Sequence, residues 1–424
     1  MIEIKPVNRV DARISVPGSK SLTQRALIAA ALASGRSRLI GPLESEDTGY
    51  SSKALIQMGV SVEKGDEWSI TGNGGVIQTG DEPIYLGNNG TATRFLTSVA
   101  SLGNGTFTID GDERMAERPI NPLIHALQGW GVDIVSLKGS GCPPLEINAH
   151  GINGGVTVLP EGKSSQYLSS LLLVAPYTRK PAVLRVEGEV MSKPYVAMTL
   201  AVMADFGIEV DAAADFSNFT ISPGCYRARD YEIEGDASSA SYFWAAAAVT
   251  GGRIVVENVP VPSLQGDAML VPLLGRMGCE ISRSGGGIVL QGVDHLHGIS
   301  VDMADMPDVV PTLAVVAAFA HGDTVISNIA HLRIKECDRL SAVVKELSRL
   351  GVQVDEYEDK MIIYGDGGMN LRGAEIETYQ DHRMAMSMAV AGLKVPGVKI
   401  TGEDCVAKSF PEFWQRFALL TDNH

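Results

Sequence analysis

The chain has 424 residues, which exceeds one ordinary hydrophobic core and predicts two domains. With 45% hydrophobic and 20% charged residues, both domains can bury a well-packed core. The net charge of −15 argues against nucleic acid as a partner, because phosphate backbones are bound by basic surfaces. No uninterrupted apolar run is long enough to cross a membrane, so we expect no membrane partner.

The first predicted elements flank a polar junction. Alternating residues Ile14–Val16 predict a strand, and the Ala/Leu-rich run Arg25–Ala33 predicts a helix. Lys20 and Ser21 lie between them, at the start of the helix. Unpaired N–H groups and the positive end of the helix dipole favour an anion there, such as a phosphate or carboxylate. The alternative is a Ser-capped surface helix with stray basic residues.

Similar junctions recur along the chain. A strand, a junction rich in Gly, Ser or Asp, and a helix are predicted around positions 20, 90, 164, 236, 308 and 381. Successive positions differ by 70, 74, 72, 72 and 73 residues. The strands that end in Gly or Asn near positions 41, 111, 188, 258, 328 and 402 have nearly the same period. The chain is therefore predicted to contain six copies of one unit of about 70 residues.

A third marker supports this period and suggests the domain boundary. Helices are predicted to end at glycines with left-handed backbone, after which a strand begins, at Gly59, Gly131, Gly207, Gly278 and Gly351. Three units per domain give domains of ordinary size, with a boundary near residue 236. Because the opening strand is spare, residues 1–16 are expected to join residues 237–424, which leaves residues 17–236 as the first domain. The predicted fold class is α/β, with each domain built symmetrically from three units.

Most residues that could bind a ligand or take part in catalysis lie at the junctions. The first series holds Lys20, Ser21, Arg25, Arg94, Ser164, Ser165, Gln166, Asp308, Asp381 and Arg383, and the second holds Arg118, Ser192, Tyr195, Lys335, Glu336, Arg339 and Lys408. Concentrated cations in an acidic protein indicate a small ligand with several negative charges. The alternative is that these charges are solvated loop residues. N-capping could also explain Asp308, and intrahelical ion pairs could explain the charges from Lys335 to Arg339.

The cysteines give no sign of disulfides or of a metal site. The five residues at positions 142, 225, 279, 337 and 405 are scattered, odd in number and without a CxxC pair. We expect reduced thiols in a cytoplasmic protein. The N-terminal residues also lack a signal-peptide pattern.

With these motifs in place, nearly the whole chain resembles the 5-enolpyruvylshikimate-3-phosphate synthase family. The resemblance rests on PGSKSLTQR (17–25), LGNNGTATR (86–94), ERP (117–119), SSQ (164–166), SKPY (192–195), GDASSASY (235–242), PD (307–308), RIKECDRL (333–340), DHRMAM (381–386) and AKSFP (407–411). It implies two globular domains of three βαβαββ units each, an inside-out α/β barrel arrangement, with the active site in the interdomain cleft.

The resemblance also implies an activity in the shikimate pathway to chorismate and aromatic amino acids. The enolpyruvyl group of phosphoenolpyruvate would pass to the 5-hydroxyl of shikimate 3-phosphate by addition and elimination, with release of phosphate. No metal or organic cofactor is implied. The implied partners are these two small substrates only, and we expect a monomer.

The family's functional residues carry over by matching position. The implied catalytic residues are Asp308, Glu336 and Lys20. The implied shikimate 3-phosphate site comprises Lys20, Ser21, Arg25, Ser164, Ser165, Gln166, Ser192, Tyr195, Asp308, His331 and Lys335. The implied phosphoenolpyruvate site comprises Lys20, Gly90, Arg118, Gln166, Arg339, Arg383 and Lys408. His331 departs from the family, since many relatives have Asn there. Gly90 is expected to leave room for the inhibitor glyphosate.

Two other functions remain as alternatives. The sister enzyme that transfers enolpyruvyl to UDP-N-acetylglucosamine normally has a reactive Cys in the loop that matches residues 111–119, where this chain has none. It also tends to have Asn where this chain has Ser21. The second alternative is a non-catalytic relative that only binds anions, against which Asp308, Glu336 and the cations argue.

Overall fold

The computed structural model describes residues 1–80, 82–161 and 164–421. The chain divides into two compact units. Residues 18–233 form the N-terminal unit, and residues 1–17 together with the chain from residue 234 onward form the C-terminal unit.

Both units alternate helices with short strands. The α-helices of the described residues are α1 (Lys20–Leu32), α2 (Glu46–Gln57), α3 (Gly90–Ala100), α4 (Asn121–Gly129), α5 (Ser165–Val174), α6 (Lys193–Asp205), α7 (Ala237–Thr250), α8 (Leu270–Arg276), α9 (Val310–Ala318), α10 (Arg339–Arg349), α11 (His382–Gly392) and α12 (Phe413–Ala418). Short 3₁₀ helices span Met115–Glu117, Ala175–Tyr177, Gly266–Met269, Pro307–Val309, Ala330–Ile334 and Glu403–Lys408.

The strands are mostly shorter than the helices. They are β1 (Ile2–Glu3), β2 (Asp11–Ile14), β3 (Ser34–Ile40), β4 (Ser61–Glu63), β5 (Glu67–Asn73), β6 (Ile84–Tyr85), β7 (Asn104–Asp110), β8 (Asp133–Ser136), β9 (Leu145–His150), β10 (Gly155–Leu159), β11 (Ala182–Val186), β12 (Asp211–Ala212), β13 (Asn218–Ile221), β14 (Asp230–Glu232), β15 (Arg253–Val256), β16 (Glu280–Ser284), β17 (Gly287–Gln291), β18 (Leu296–His297), β19 (Ser300–Asp302), β20 (Ala320–Ser327), β21 (Gln353–Glu356), β22 (Met361–Asp366), β23 (Glu375–Ile376) and β24 (Lys399–Ile400).

One sheet pattern is repeated in both units. The N-terminal unit has three sheets, with strand orders β14-β3-β5-β4, β6-β7-β9-β8 and β10-β11-β13-β12. In each of them the first pair is parallel and the other two pairs are antiparallel. The C-terminal unit repeats this pattern in β2-β15-β17-β16 and in the sheet around β20, and its third sheet has the order β1-β24-β23.

The strands that lead into α1 and α7 belong to opposite units. Strand β2 precedes α1 but pairs with β15, with Ile14 opposite Val256. Strand β14 precedes α7 but pairs with β3. Strand β1 completes the last sheet, with Ile2 opposite Ile400. The chain therefore leaves the C-terminal unit after Pro17 and returns to it after residue 233.

The core of each unit combines buried helices with the inward-facing residues of the strands. All residues of α7, α9 and α11 are buried, as are nearly all of α1, α3 and α5. These helices are rich in Ala, Ser and other small or apolar residues on every face, as expected for helices surrounded by protein. Strands such as β16 keep most residues exposed. The α/β fold class predicted from the sequence is confirmed.

The helix ends match the local sequence pattern, and the ends of the first elements differ from it by a few residues. The five glycines predicted to follow helices all have left-handed backbone, with φ between +84° and +116°. Helix α1 begins at Lys20, at the predicted junction and five residues before the apolar run Arg25–Ala33, because Ser19 caps it by accepting a hydrogen bond from the Leu22 N–H. Strand β2 spans Asp11–Ile14, whereas a strand at Ile14–Val16 was predicted. The alternative of a surface helix is wrong, since α1 is buried.

Candidate active site

In the N-terminal unit, Lys20 lies at the first position of α1. Its ammonium group is mostly buried and forms an ion pair with Asp47, with 3.2 Å between Nζ and Oδ2. Ser21 follows in the same turn. The Ser19 cap and the short connection from Pro17 thus place a cation and a hydroxyl at the start of a buried helix, as an anion site requires.

Arg25, one turn further along α1, is a buried cation held by neutral groups. Its guanidinium donates to Thr199 Oγ1 (2.7 Å), to Ser169 Oγ (3.2 Å) and to the carbonyls of Ser21 and Tyr195. Burial lowers its pKa to about 10. Because its hydrogen bonds within the described residues go to uncharged oxygens, Arg25 can gain a strong interaction from an anionic ligand.

Two further guanidinium groups converge on Gly90, the first residue of α3. A side-chain carbon at this position would lie 2.5 Å from Arg118 Nη2 and 2.6 Å from Arg94 Nη1. Arg94 donates to the carbonyls of Gly90 and Pro119, and Arg118 donates to Asn88. The absence of a side chain at Gly90 therefore lets two buried cations approach a helix N-terminus.

The remaining predicted residues of this unit lie at the starts of α5 and α6. Ser164 precedes α5, and Ser165 and Gln166 form its first turn, where Gln166 Nε2 donates to Thr91 Oγ1 (3.0 Å). Ser192 precedes α6 with a left-handed backbone (φ 57°) and is buried. The Tyr195 ring lies beside the Arg25 guanidinium, 5.9 Å from its centroid. These hydroxyl and amide groups are suited to bind sugar hydroxyls and phosphate.

In the C-terminal unit, Arg339 is the centre of an ion-pair cluster. Its side chain is 1% exposed, and it donates to Asp381 Oδ2 (2.8 Å), to Glu336 Oε2 (2.8 Å) and to Asp308 Oδ1 (3.1 Å). Burial by itself would lower the pKa of Arg339, but the three carboxylates raise it well above its ordinary value. One buried guanidinium thus aligns three carboxylates.

Arg383, in the first turn of α11, holds Asp308 from a second direction. Its Nη2 donates to Asp308 Oδ2 (2.8 Å), and its Nη1 lies 3.2 Å from the Tyr242 hydroxyl. Burial opposes the charge of Arg383, yet Asp308 and other groups raise its pKa well above the ordinary value. Met306 is the N-cap of the 3₁₀ helix Pro307–Val309 and Asp308 lies inside that helix, so the N-cap alternative for Asp308 is wrong.

The segment between the 3₁₀ helix Ala330–Ile334 and α10 carries the next predicted residues. Lys335 is partly buried, and Glu336 faces Arg339. The cap of α10 is Asp338, which accepts from the Ser341 N–H and pairs with Arg333. Asp338 is therefore an N-cap whose ion pair reaches outside α10, whereas Glu336 pairs with Arg339 three residues later and belongs to the Arg339 cluster.

His331 is buried without hydrogen-bond partners. Within the described residues, neither ring nitrogen has one. Burial first, and then the positive charges of Lys335 and Arg339, lower its pKa to about 3. The imidazole is therefore neutral at physiological pH and can still donate one hydrogen bond and accept another.

The structure also shows residues that the sequence analysis missed. Asp267 is buried, accepts from Ser238 Oγ and lies close enough to Asp308 and Arg383 to feel their charges. Burial, followed by repulsion from Asp308, raises its pKa to about 7. Asp267 lies outside the repeated junctions, so the period gave no signal for it. Asp47, the partner of Lys20, was missed for the same reason.

The last predicted cation, Lys408, ends the 3₁₀ helix Glu403–Lys408 and is buried. Among the described residues, no three His, Cys, Asp or Glu side chains are grouped so that they could bind a metal ion. A search of the same residues found no helix that combines the length and apolar character of a membrane span.

Comparison with known proteins identifies relatives over nearly the whole chain. A sequence profile described as EPSP synthase (3-phosphoshikimate 1-carboxyvinyltransferase) matches residues 4–417. The chain is 44% identical over 421 residues to the 3-phosphoshikimate 1-carboxyvinyltransferase of Nostoc punctiforme, and the match covers 98% of each chain. It is 40% identical over 415 residues to the protein of that name from Methanothermobacter thermautotrophicus, covering 98% of this chain and 97% of the relative.

Solved structures give the same result. The EPSP synthase of Acinetobacter baumannii superposes with a TM-score of 0.81 at 29% identity, covering 99% of this chain and 97% of that one. The enolpyruvyl transferase NikO of Streptomyces tendae superposes with a TM-score of 0.80 at 17% identity, which shows a shared fold only.

Proposed function

Since this chain belongs to the EPSP synthase family, we propose that it transfers the enolpyruvyl group of phosphoenolpyruvate to the 5-hydroxyl of shikimate 3-phosphate. The products are 5-enolpyruvylshikimate 3-phosphate and inorganic phosphate. Relatives at 40% to 44% identity that carry the name of this activity support the proposal.

The observation that carries the proposal is the pair of carboxylates on Arg339. Asp308 and Glu336 both accept from this guanidinium, at 3.1 and 2.8 Å, and Arg383 also donates to Asp308. Addition to phosphoenolpyruvate requires one proton to be removed from the attacking hydroxyl and another to be delivered to the methylene carbon. Two carboxyl groups held beside two guanidiniums can divide that work while the cations bind the anionic substrate.

The chemical steps follow from these roles. Asp308 accepts the proton of the 5-hydroxyl as its oxygen bonds to C2 of phosphoenolpyruvate. Glu336, with Lys20, delivers a proton to C3, which gives a tetrahedral intermediate. In the second step the phosphate leaves C2, and C3 returns a proton to the Glu336 carboxylate as the double bond is restored. Binding the phosphate through Lys and Arg side chains favours its departure as an anion.

The substrates are assigned to the residues predicted above. Shikimate 3-phosphate, with its phosphate, carboxylate and hydroxyls, is assigned to Lys20, Ser21, Arg25, Ser164, Ser165, Gln166, Ser192, Tyr195, Asp308, His331 and Lys335. Phosphoenolpyruvate is assigned to Lys20, Gly90, Arg118, Gln166, Arg339, Arg383 and Lys408. The first assignment is supported by Arg25, whose hydrogen bonds go to uncharged oxygens, and by the unpartnered ring nitrogens of His331. The guanidinium groups around Gly90 and Asp308 support the second.

We also propose that the two compact units are the two three-repeat domains. We also expect a cytoplasmic protein, which the five free cysteines support because they suit a reducing compartment. A monomer remains our expectation.

Phosphate release from phosphoenolpyruvate tests the proposed reaction, with shikimate 3-phosphate and UDP-N-acetylglucosamine compared as acceptors. We expect release with the first acceptor only. Release with the nucleotide sugar alone would establish the sister activity, and binding without release under all conditions would establish a non-catalytic protein.

The variant Asp308→Ala tests the assignment of the base. We expect kcat to fall by roughly 10³-fold, while the Kd for shikimate 3-phosphate changes little, because the lost group acts mainly on a proton. The control is Asp305→Ala, which removes an exposed carboxylate three residues away. Equal activity of Asp308→Ala and Asp305→Ala would contradict the assigned role.

A further inference from the structure

The segment that leads into α11 has an unusual backbone. Tyr379 and Gln380, directly before Asp381, both have positive φ, at 55° and 54°. Two consecutive residues other than glycine in this region are unfavourable, so surrounding contacts must hold them there. The contacts that do so lie next to the Arg339 cluster.

Helix α10 forms hydrogen bonds with this segment at two points along its length. At its start, Arg339 donates to both carboxylate oxygens of Asp381, at 2.8 and 3.1 Å. Seven residues later, Glu346 accepts from the Tyr379 hydroxyl (2.7 Å) and from the Glu377 N–H (3.1 Å). Since seven residues are nearly two turns, Arg339 and Glu346 lie on the same face of the helix.

The Glu346 carboxylate can hold the Tyr379 side chain in one position. It is fully buried, and besides Tyr379 and Glu377 it accepts from Arg349 Nη1 (3.1 Å). A buried carboxylate with three donors is rigid, and losing one donor leaves part of its charge unsatisfied. The proposed roles of Asp308, Glu336 and Arg339 do not involve this group.

We propose that Glu346 and Tyr379 form a latch that fixes Asp381 and, through it, the orientation of the Arg339 guanidinium toward phosphoenolpyruvate. The inference rests on the proposed function. Glu346 and Tyr379 are positioning residues, since they act through Asp381. The Arg383 N–H also donates to Asp381 Oδ1 (2.9 Å), so the latch bears on a second cation assigned to the same substrate.

The latch predicts an effect on one substrate rather than on both. Small displacements of a guanidinium clamp weaken the binding of the anion that it orients. Tyr379→Phe removes only the hydroxyl that reaches Glu346. We expect the KM for phosphoenolpyruvate to rise about tenfold, the effect of losing one hydrogen bond to a charged group, while the KM for shikimate 3-phosphate stays within about twofold.

A matched control is present in the same unit. The Tyr364 hydroxyl donates to Asp355 Oδ2 at 2.8 Å, in the outer sheet around β22. Tyr364→Phe therefore deletes a similar bond without touching the latch, and we expect both KM values to match those of the wild type. If Tyr379→Phe behaves like Tyr364→Phe, or if both substrates weaken equally, the latch is wrong.

Relief of backbone strain gives an independent test. Gln380→Gly removes the cost of a positive φ, so the segment needs less help to keep its conformation. We expect Gln380→Gly to recover part of the phosphoenolpyruvate affinity lost in Tyr379→Phe. If Tyr379→Phe does not fold, Glu346→Gln replaces it, because glutamine keeps a hydrogen-bond acceptor. We expect its KM for phosphoenolpyruvate to rise a few-fold, and an unchanged KM rejects the latch. Absence of turnover in the wild type would reject the proposed function instead.

Discussion

Arg25 in the N-terminal unit and Arg339 in the C-terminal unit are both buried, but in opposite surroundings. In the N-terminal unit, Arg25 is buried against hydroxyls, carbonyls and aromatic rings, and its pKa is lowered to about 10. In the C-terminal unit, Arg339 and Arg383 are equally buried but face carboxylates, and their pKa values are raised. Arg25 can therefore take its counter-ion from a ligand. Arg339 and Arg383 are already paired with the carboxylates that proton transfer needs.

This contrast has a thermodynamic consequence that substitution with methionine exposes. Arg339→Met leaves Asp381, Glu336 and Asp308 without their shared partner, so we expect the free energy of unfolding to fall by about 3–5 kcal/mol. Arg25→Met leaves only hydroxyls and carbonyls, and Thr199 and Ser169 still bond each other at 2.8 Å. We expect that change to stay within about 1 kcal/mol. Denaturant unfolding of both variants without ligand measures the difference.

The affinity for shikimate 3-phosphate should fall more in Arg25→Met than in Arg339→Met, the reverse of their order in stability. Arg25→Met is expected to weaken it by about 100-fold, as for loss of a charge-assisted contact. Calorimetric titration of each folded variant provides the measurement. An Arg25→Met protein that is as destabilised as Arg339→Met and binds normally would remove the distinction between the units.

Gly90 sharpens the comparison within the N-terminal unit. In Gly90→Ala, the new methyl group would lie 2.5 Å from Arg118 Nη2, so the guanidinium must move. We expect the KM for phosphoenolpyruvate to rise about tenfold, with little change for shikimate 3-phosphate. The control is Gly49→Ala in α2, where nothing lies within 4 Å of the added carbon. Equal KM values for the two variants would show that Arg118 does not depend on Gly90.

The effect of His331 depends on pH. Its pKa is about 3 in the folded protein and about 6.5 when unfolded, so the unfolded chain binds the extra proton first as pH falls. Stability from His331 is complete above pH 6.5 and is lost between there and about pH 3. The loss approaches 1.4 kcal/mol per pH unit below about pH 6.

The difference between wild type and His331→Asn isolates this contribution. The raised pKa of Asp267 acts in the opposite direction, since its stabilisation is lost as pH rises toward 7, and it is common to both proteins. Between pH 7 and pH 5, we expect the free energy of unfolding to fall more in the wild type than in His331→Asn. Denaturant unfolding of both proteins at the two pH values measures this difference. An equal fall in both proteins would show that His331 titrates normally.

The local pattern of the sequence predicted much of the fold because its cues are short-range. A glycine past each helix end needs only its own backbone freedom, and all five predicted positions have left-handed backbone. Helix α1 begins five residues before its apolar run, because the capping Ser19 acts before the apolar periodicity begins. Asp267 and Asp47 escaped notice because they lie outside the repeat, and their importance depends on partners more than 25 residues away.

The sequence by itself determined the sixfold period, the α/β class and the family, because repeats, caps and ordered motifs are encoded by residues close together in the chain. Only the tertiary structure decided which cations are matched by carboxylates. Arg25 and Arg339 both lie near the start of an α-helix. The neighbouring Glu336 indicates a carboxylate partner for Arg339, but it is only one of the three carboxylates that contact this guanidinium. The difference arises from groups brought in across long separations, such as Asp381 for Arg339 and Thr199 for Arg25, because burial makes each charge depend on whatever the fold places beside it.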